Sequence, residues 1–296
     1  MPRLDYVHVD VFSPEPFCGN SLPVFLNSGG LSQAQMLKIA RELRQFEVVF
    51  LEPTARPDTV RARIFDLIEE LPFAGHPILG AAAVLHHSSG QESAQTWRFE
   101  LPDRELSVVT RRTRQGYSGV LDQGRPEFLG EVADRAAVAR AFGLDVADLR
   151  SDLPLEVGST GLRYLVIPLC AGALDRARVA HDLTDLLAGH AAQFAVLLDE
   201  AAVEIRHWNN DGVMEDIATG SAAGVVGAYR LKHGLARSGE EVAIRQGRFV
   251  GRPSRILVTA QAEGGAVANV KVGGDVAMVG GGFLDLEAPD PAGDQS

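Results

Sequence analysis

Hydrophobic and polar positions alternate near the start of the chain. Val7, Val9 and Val11 fall on one face of an extended segment, and polar or aromatic residues fall between them. A period of two predicts a β-strand with one buried face over residues 6–12. Prolines and glycines then predict a loop over residues 13–23.

The next segment changes to helical spacing. Ser32 and Gln35 have the spacing of a capping box, and apolar residues follow at intervals of three and four from Met36 to Leu43. Residues 46–51 return to a strand pattern, and its one carboxylate, that of Glu47, lies on an otherwise apolar face.

The remaining pattern predicts many short strands and few helices. Strands are predicted at residues 60–65, at 98–110 (two, around Pro102), and at 163–169, 194–198, 203–208, 242–245, 255–259, 267–272 and 276–279, and helices at 132–142 and 225–232. Because strands follow strands, the order favours an α+β fold over a series of strand–helix–strand crossovers.

One motif occurs twice. ELPFAGHP at residues 70–77 opens one run of small residues, and EDIATGSAAG at residues 215–224 opens another. In both copies a glutamate stands five residues before a glycine, and a polar side chain follows that glycine. The duplication predicts two halves, residues 1–118 and 119–296, with the last strand able to return to the first half. An active site is expected in the cleft between them.

Both motifs place a polar group at the start of a helix built from small residues. The side chains of such a helix are small, so surrounding strands can pack closely against it. The first N–H groups of a helix have no partner within it and form a site for an anion, so a small carboxylate-bearing molecule is the expected ligand. His86 and His87 fall at the predicted end of the first of these helices and are expected to be exposed there.

Composition limits the range of partners. The net charge is −11, from 28 basic and 39 acidic residues, which argues against nucleic acid and anionic membranes. The two cysteines form no Cys-x-x-Cys pattern, so neither a disulfide framework nor a cysteine metal site is expected. The sequence lacks a leader pattern and a long apolar run, and a cytoplasmic protein is therefore expected.

Three side chains, Glu47, His76 and Asp216, are candidates for proton chemistry. An apolar strand face removes water from Glu47 and favours its neutral form, which allows it to take up and return protons. The positive end of a helix favours a neutral imidazole at position 76.

Structural roles are also open for the same residues. Glu47 could pair with Arg41 or Arg44, and its carboxylate would then serve stability alone. The residues at the two helix starts could be ordinary caps: His76, Asp216 and Ser221.

Taken in order, these segments resemble the phenazine-biosynthesis PhzF-like isomerases, which share their fold with diaminopimelate epimerase. The segments that carry the resemblance are DVF at 10–12 with GN at 19–20, EVVF at 47–50, the two motifs above, and QG at 246–247 with GRPS at 251–254. The GHP and ATGSA portions are the specific ones.

The resemblance implies a fold and a chemistry. Each half is expected to be a β-barrel-like sheet around a central helix, in an isomerase that needs neither cofactor nor metal and is often a homodimer. In the family, the glutamate that matches Glu47 moves a proton between carbons of a cyclic diene amino acid, with His76 and Asp216 as its partners. The substrate-binding residues expected on this basis are Asn20, Gly75, Thr219, Gly220 and Ser221.

The chain departs from the family pattern at three places. Ile217 stands where proline is usual, Ile78 where threonine is common, and Phe46 where a small polar residue is usual. The first two leave the substrate open. The related epimerases use a cysteine at each helix start, and its absence here argues against racemisation by two thiols.

The expected function is a double-bond shift, by proton abstraction and return, on a small cyclic amino acid. The resemblance implies that the substrate is trans-2,3-dihydro-3-hydroxyanthranilate or a related intermediate of phenazine or other antibiotic biosynthesis. Two other functions are open: a hydrolase that uses Ser221, His76 and Asp216, and a non-catalytic protein that binds a small carboxylate.

Overall fold

The computed structural model describes residues 3–286. They group into two compact units, of which the first comprises residues 3–17, 21–119 and 275–286. The second comprises residues 18–20 and 120–274.

The first unit combines a sheet with two helices. The strands are β1 (Arg3–Val11), β2 (Asn20–Phe25), β3 (Val48–Pro53), β4 (Thr59–Phe65), β5 (Glu70–Leu71), β6 (Gln95–Glu100), β7 (Glu105–Arg112) and β8 (Tyr117–Gly124), and the helices are α1 (Gln33–Leu43) and α2 (Gly75–Ser89). The strand order is β1-β2-β3-β4-β6-β7-β8, with β5 paired to β4. The last residues of β8 belong to the second unit.

The second unit also combines a sheet with helices. Its strands are β9 (Glu127–Glu131), β10 (Glu156–Ser159), β11 (Arg163–Leu169), β12 (Phe194–Asp199), β13 (Glu204–Arg206), β14 (Glu241–Gln246), β15 (Ser254–Glu263) and β16 (Ala266–Asp285), and its helices are α3 (Arg135–Ala141), α4 (Thr184–Ala188) and α5 (Gly220–Lys232). The order is β16-β15-β14-β13-β12-β11-β10-β9, and β16 ends in the first unit, where it pairs with β1.

The pairing pattern shows that the duplication is wider than the two motifs. In the first unit β2 and β3 are parallel, β3 and β4 antiparallel, β4 and β6 parallel, and β6 and β7 antiparallel. The strands β11, β12, β13, β14 and β15 repeat this sequence of pairings. In both units a helix follows the first and the third of these strands. The predicted α+β class with two similar halves is confirmed.

Each motif helix is enclosed by strands of its own unit. Helix α2 packs against β1, β3, β6 and β7, and α5 packs against β10, β11 and β15. A Cβ atom on Gly80 would lie 2.5 Å from a methyl group of Leu22, and one on Gly227 would lie 2.3 Å from a methyl group of Val258. Glycine is therefore required for the close approach of strand and helix, as the small-residue pattern predicts.

Helix α1 confirms the sequence prediction in detail. The Ser32 side chain accepts from the Gln35 N–H, and the Gln35 side chain accepts from the Ser32 N–H, so that both halves of the capping box are present. The buried side of α1 packs against Phe25, Phe50 and Phe65. This aromatic cluster holds β3 in place, with Phe25 and Phe50 stacked at 4.9 Å between ring centroids.

Three predicted elements are wrong in part. Residues 20–25 form β2 rather than a loop, because Asn20 and the apolar residues after it are buried. Strand β3 begins at Val48, so Glu47 precedes the strand instead of lying on its face. The strands predicted at 267–272 and 276–279 are one strand, β16, because β15 pairs with its first part and β1 with its second.

Candidate active site

Glu47 and His76 form a carboxylate–imidazole pair in the first unit. Nε2 of His76 lies 3.3 Å from Oε2 of Glu47. The His76 side chain is 7% exposed and that of Glu47 is 20% exposed. The carboxylate therefore reaches solvent while its partner is buried, which is a suitable arrangement for a group that exchanges a proton with a ligand.

Backbone structure places this pair. Glu47 lies in the turn between α1 and β3, directly before the buried residue Val48. Gly75 is the first residue of α2 and His76 the second, and the extended residue Ala74 precedes them with no side-chain cap. The first N–H groups of a helix have no partner within the helix. At the third position of α2, Pro77 has no N–H group and therefore needs no partner.

Asp216 is the centre of a hydrogen-bonded turn in the second unit. Oδ1 of Asp216 accepts from the amide of Asn20 at 3.3 Å, and its Oδ2 accepts from the hydroxyl of Thr219. The Asn20 amide also donates to the carbonyl of Ala218 at 3.1 Å. Asp216 thus accepts from two side chains, and Thr219, the residue before α5, makes no side-chain cap to the helix.

Gln246 secures the same turn from the end of β14. Its Oε1 accepts from the N–H of Thr219 at 2.9 Å, and its Nε2 donates to the Asp216 carbonyl at 2.9 Å. The residue after it, Gly247, has φ of 86°, and a Cβ there would lie 2.6 Å from the Ile217 carbonyl oxygen. Only glycine allows the strand end to come so close to the turn.

The start of α5 offers both N–H donors and a hydroxyl. The first helical hydrogen bond runs from Ala223 to the Thr219 carbonyl, so the N–H groups of Gly220 and Ser221 have no partner within the helix. The Ser221 hydroxyl shares a hydrogen bond of 2.8 Å with the Tyr164 hydroxyl. An anion at this helix start would meet two backbone donors and the Ser221 side chain.

A buried histidine lies beneath this turn. Nδ1 of His207 donates to the Ala195 carbonyl at 2.9 Å, and the His207 carbonyl accepts from the Asp216 N–H at 2.9 Å. Burial lowers the pKa of His207, although the charge of Asp216 acts in the opposite direction. The imidazole is therefore neutral at neutral pH.

The glutamates of the two motifs have the same structural role. Arg63 donates to Glu70 through Nε at 2.7 Å and Nη2 at 2.5 Å, and Arg206 donates to Glu215 at 2.9 and 2.7 Å in the same way. Each arginine lies on the strand that precedes its motif. These paired forks fix the chain just before the turn that opens each motif helix.

The structure corrects one expectation about the first motif helix. His86 is buried, with Nδ1 at 2.8 Å from the Thr110 hydroxyl and Nε2 donating to the Gln91 carbonyl at 3.1 Å. It lies on the side of α2 that faces β7, so it serves the core instead of the solvent-exposed helix end. Arg41, considered above as a partner of Glu47, donates to the carbonyls of Leu67 and Ile68.

Residues around the second turn include several that the motif patterns did not single out. Tyr164, His207 and Gln123 all support the start of α5, and the Gln123 amide donates to the Gly220 carbonyl at 3.3 Å. The signals in the sequence are weak, because Tyr164 and His207 are isolated polar residues in predicted strands and Gln123 lies outside every predicted element. Gln246 is the exception, since the glycine after it indicates a special backbone position.

Two further features bear on the class of the site. Within residues 3–286, no group of three or more histidine, cysteine, aspartate or glutamate side chains is arranged to hold a metal ion. In the same part of the chain, none of the helices has the length and apolar character that a membrane span requires.

The repeated sheet-and-helix units carry a carboxylate–imidazole pair, Glu47 and His76, at one helix start. The PhzC-PhzF family model, described as phenazine biosynthesis-like protein, matches residues 9–282, and the chain belongs to this family.

Curated relatives and solved structures agree with this assignment. The trans-2,3-dihydro-3-hydroxyanthranilate isomerase of Pseudomonas chlororaphis is 30% identical, with 95% of this chain and 99% of that protein covered. The uncharacterized isomerase YddE of Salmonella typhimurium is 32% identical, with coverage of 92% and 95%. The structure of a predicted epimerase from Pseudomonas aeruginosa matches with a TM-score of 0.90 and 44% identity, covering 96% of this chain and all of that one. The protein is an isomerase.

Proposed function

We propose that the protein shifts a carbon–carbon double bond in a small cyclic amino acid, by removing a proton from one carbon and returning it to another. The proximity of His76 Nε2 to Glu47 Oε2, 3.3 Å apart, is the observation that carries the proposal. The candidate substrate is trans-2,3-dihydro-3-hydroxyanthranilate, the compound in the name of the Pseudomonas chlororaphis relative.

Glu47 is the proton carrier in this proposal. Its carboxylate takes the proton from carbon, and the electron pair of the broken C–H bond spreads into the neighbouring double bonds and the substrate carboxylate. The new O–H of Glu47 then returns the proton to a different carbon, and the double bond moves. Glu47 ends as the carboxylate it began as, so the reaction needs no other reactant.

His76 and Asp216 have supporting roles. His76 lies against the Glu47 carboxylate, with Nε2 3.3 Å from Oε2, and the buried imidazole limits the positions that the carboxylate can take during proton transfer. Asp216, held by Asn20 and Thr219, accepts from the amino group of the substrate. Donors at the start of α5, the N–H groups of Gly220 and Ser221, stabilise the negative charge that develops on the substrate carboxylate.

The proposal is tested by following the conversion of trans-2,3-dihydro-3-hydroxyanthranilate by proton NMR. We expect a product of unchanged mass in which the olefinic signals have moved. A Glu47→Gln variant keeps the shape of the side chain but has no basic oxygen, and it should lose at least about a hundredfold in rate.

Glu52→Gln is the matched control, since Glu52 lies on β3 and its side chain is similarly buried, at 15% exposed. It should convert the substrate at the wild-type rate. The hydrolase alternative makes the opposite prediction, because hydrolysis through Ser221 would survive Glu47→Gln and would change the mass of the product. Unchanged activity in Glu47→Gln would overturn the proposal.

A further inference from the structure

We propose that His207 is a positioning residue, which fixes the Tyr164 ring and through it the Ser221 hydroxyl at the start of α5. The inference rests on the proposed function in one respect, namely that Ser221 contacts the substrate. Neither the family motif nor the sequence pattern points to His207, which lies directly after β13.

The imidazole of His207 is itself held in one orientation. A carbonyl oxygen can only accept, so the 2.9 Å contact with Ala195 places the proton on Nδ1. The ring is 6% exposed and stands between β12 and the second motif. Because the ring is held by the hydrogen bond at Nδ1 and enclosed by its neighbours, its orientation is fixed and other side chains can pack against it.

Tyr164 is packed against that surface. The Tyr164 and His207 rings meet edge to face, with 5.5 Å between centroids and 74° between planes. Phe194 contacts both rings, at 5.5 Å from Tyr164 and 5.6 Å from His207. These three rings form a cluster, and the Tyr164 hydroxyl of this cluster shares a hydrogen bond of 2.8 Å with the Ser221 hydroxyl at the start of α5.

The same residue is tied to Asp216 through the backbone. The N–H of Asp216 donates to the His207 carbonyl at 2.9 Å, next to the bridge between Trp208 and Glu215. Asp216 and Ser221 are thus both connected to His207. Asp216 is connected by a main-chain hydrogen bond, and Ser221 is connected through the Tyr164 side chain. A substitution of the His207 side chain leaves the first connection in place and removes the second.

The charge state of His207 suits this role. The Asp216 charge acts on the imidazole and the Tyr164 ring packs against it, while burial lowers the pKa of His207 and keeps the ring neutral. A neutral ring does not compete with Asn20 and Thr219 for the Asp216 carboxylate. The carboxylate therefore remains oriented by its two hydrogen-bond donors.

The experiment is NMR on protein labelled at the ζ carbon of tyrosine. The chain has four tyrosines, and Tyr164→Phe assigns the relevant signal. We expect His207→Asn to shift the Tyr164 signal, because the asparagine amide can still donate to Ala195 while the ring is gone. The Tyr229 signal should not move, since its hydroxyl donates to the Pro154 carbonyl. His207→Phe keeps an aromatic ring and should retain most of the wild-type shift.

Kinetics connects this contact with Ser221. His207→Asn should raise KM for the cyclic amino acid by roughly three- to tenfold, the range expected for an aromatic contact, with a smaller change in kcat. Tyr164→Phe should raise KM similarly, and the double variant should be no worse than the poorer single one, because both changes remove the same support.

Three results would overturn the inference. They are an unmoved Tyr164 signal in His207→Asn, an unchanged KM, and effects on KM that multiply in the double variant. The NMR result does not depend on the reaction. If the wild-type protein did not convert the substrate, the proposed function would be wrong. The NMR experiment would still show whether His207 fixes the Tyr164 ring.

Discussion

Phe194 occupies in the second unit the position that Glu47 occupies in the first. Phe50 pairs with Arg63 across β3 and β4, and Leu197 pairs with Arg206 across β12 and β13. Glu47 and Phe194 each lie three residues before these equivalent positions. One copy of the repeat therefore carries a carboxylate where the other carries an aromatic ring.

The equivalence extends to the helix starts. His76 and Ser221 are each the second residue of a motif helix, and each contacts a side chain from a neighbouring strand or strand start. In the first unit that side chain is Glu47, and in the second it is Tyr164. The duplicated framework is thus maintained by the Arg–Glu forks and the glycine-rich helices, while the polar groups at the helix starts have diverged.

The buried fork between Arg206 and Glu215 should be important for stability. Both side chains are 9% exposed, and Arg206 also donates to the carbonyls of Leu174 and Ala177. Arg206→Met leaves the Glu215 carboxylate buried without its partner, so we expect a loss of about 3–5 kcal/mol in the free energy of unfolding by urea.

The exposed pair of Arg104 and Asp103 provides the comparison. Arg104→Met should change the free energy of unfolding by less than about 1 kcal/mol. Equal effects of the two substitutions would contradict the role assigned to burial.

The contact between α5 and β15 should not tolerate a methyl group. A Cβ on Gly227 would lie 2.3 Å from Val258 Cγ1, so Gly227→Ala must displace the strand or the valine. We expect a loss of about 1–3 kcal/mol in the free energy of unfolding. Gly189→Ala is the control, because its Cβ would meet only ordinary contacts at 3.5 Å. A neutral Gly227→Ala would show that α5 is less closely enclosed than described.

Stability should depend on pH through His207. Burial lowers its pKa in the folded protein below the value of about 6.5 that an unfolded chain has. The unfolded state therefore binds the proton more readily, and the contribution of the neutral ring is complete above about pH 6.5 and is lost as the pH falls below it. The slope is at most about 1.4 kcal/mol per pH unit.

Urea unfolding between about pH 7.5 and 5 measures this slope. The free energy of unfolding should begin to fall as the pH drops below about 6.5. His207→Gln should flatten the curve over that interval. His181→Gln, at an exposed position, should leave it unchanged. An identical slope in wild type and His207→Gln would show that His207 does not control this dependence.

The Asp216 carboxylate should matter for turnover. Asp216→Asn places an amide against the donors of Asn20 and Thr219. It also removes the charged acceptor of the substrate amino group, and a hydrogen bond to a charged group contributes about 1.5–3 kcal/mol. We expect kcat/KM to fall roughly 10- to 150-fold. Asp211→Asn, on the exposed turn of the same hairpin, should have no effect on kcat/KM. Comparable losses in both variants would argue against a specific role for Asp216.

Local patterns predicted the parts of the fold that depend on local chemistry. The capping box of Ser32 and Gln35 and the small-residue helices were predicted correctly, because each is encoded within a few neighbouring residues. Strand β2 was missed, since its proline and asparagine suggest a loop and its stability comes from β3, which lies distant in sequence. The strands predicted at residues 267–272 and 276–279 are continuous in β16, because the ladder partners on either side keep the chain extended.

The site was predictable only in outline. The motif copies and the family resemblance led to His76, Asp216 and Ser221, and the structure shows the contacts that each makes within its own unit. The supporting roles of Tyr164 and His207 could not be predicted, because a polar residue in a buried strand has no pattern of its own. Its function depends on which helix start the tertiary fold brings against it.

The central claim is that Glu47 takes a proton from one carbon of the substrate and returns it to another, and loss of an isotope label from the first carbon tests the role of Glu47 most directly. A substrate deuterated at the carbon that loses its hydrogen is converted in ordinary water, and the deuterium remaining at that carbon is measured by NMR. We predict that the wild-type protein removes the label in every turnover and that Glu47→Gln leaves it in place, whereas Glu52→Gln behaves as wild type. Removal of the label by Glu47→Gln at a rate near that of the wild type would contradict the account.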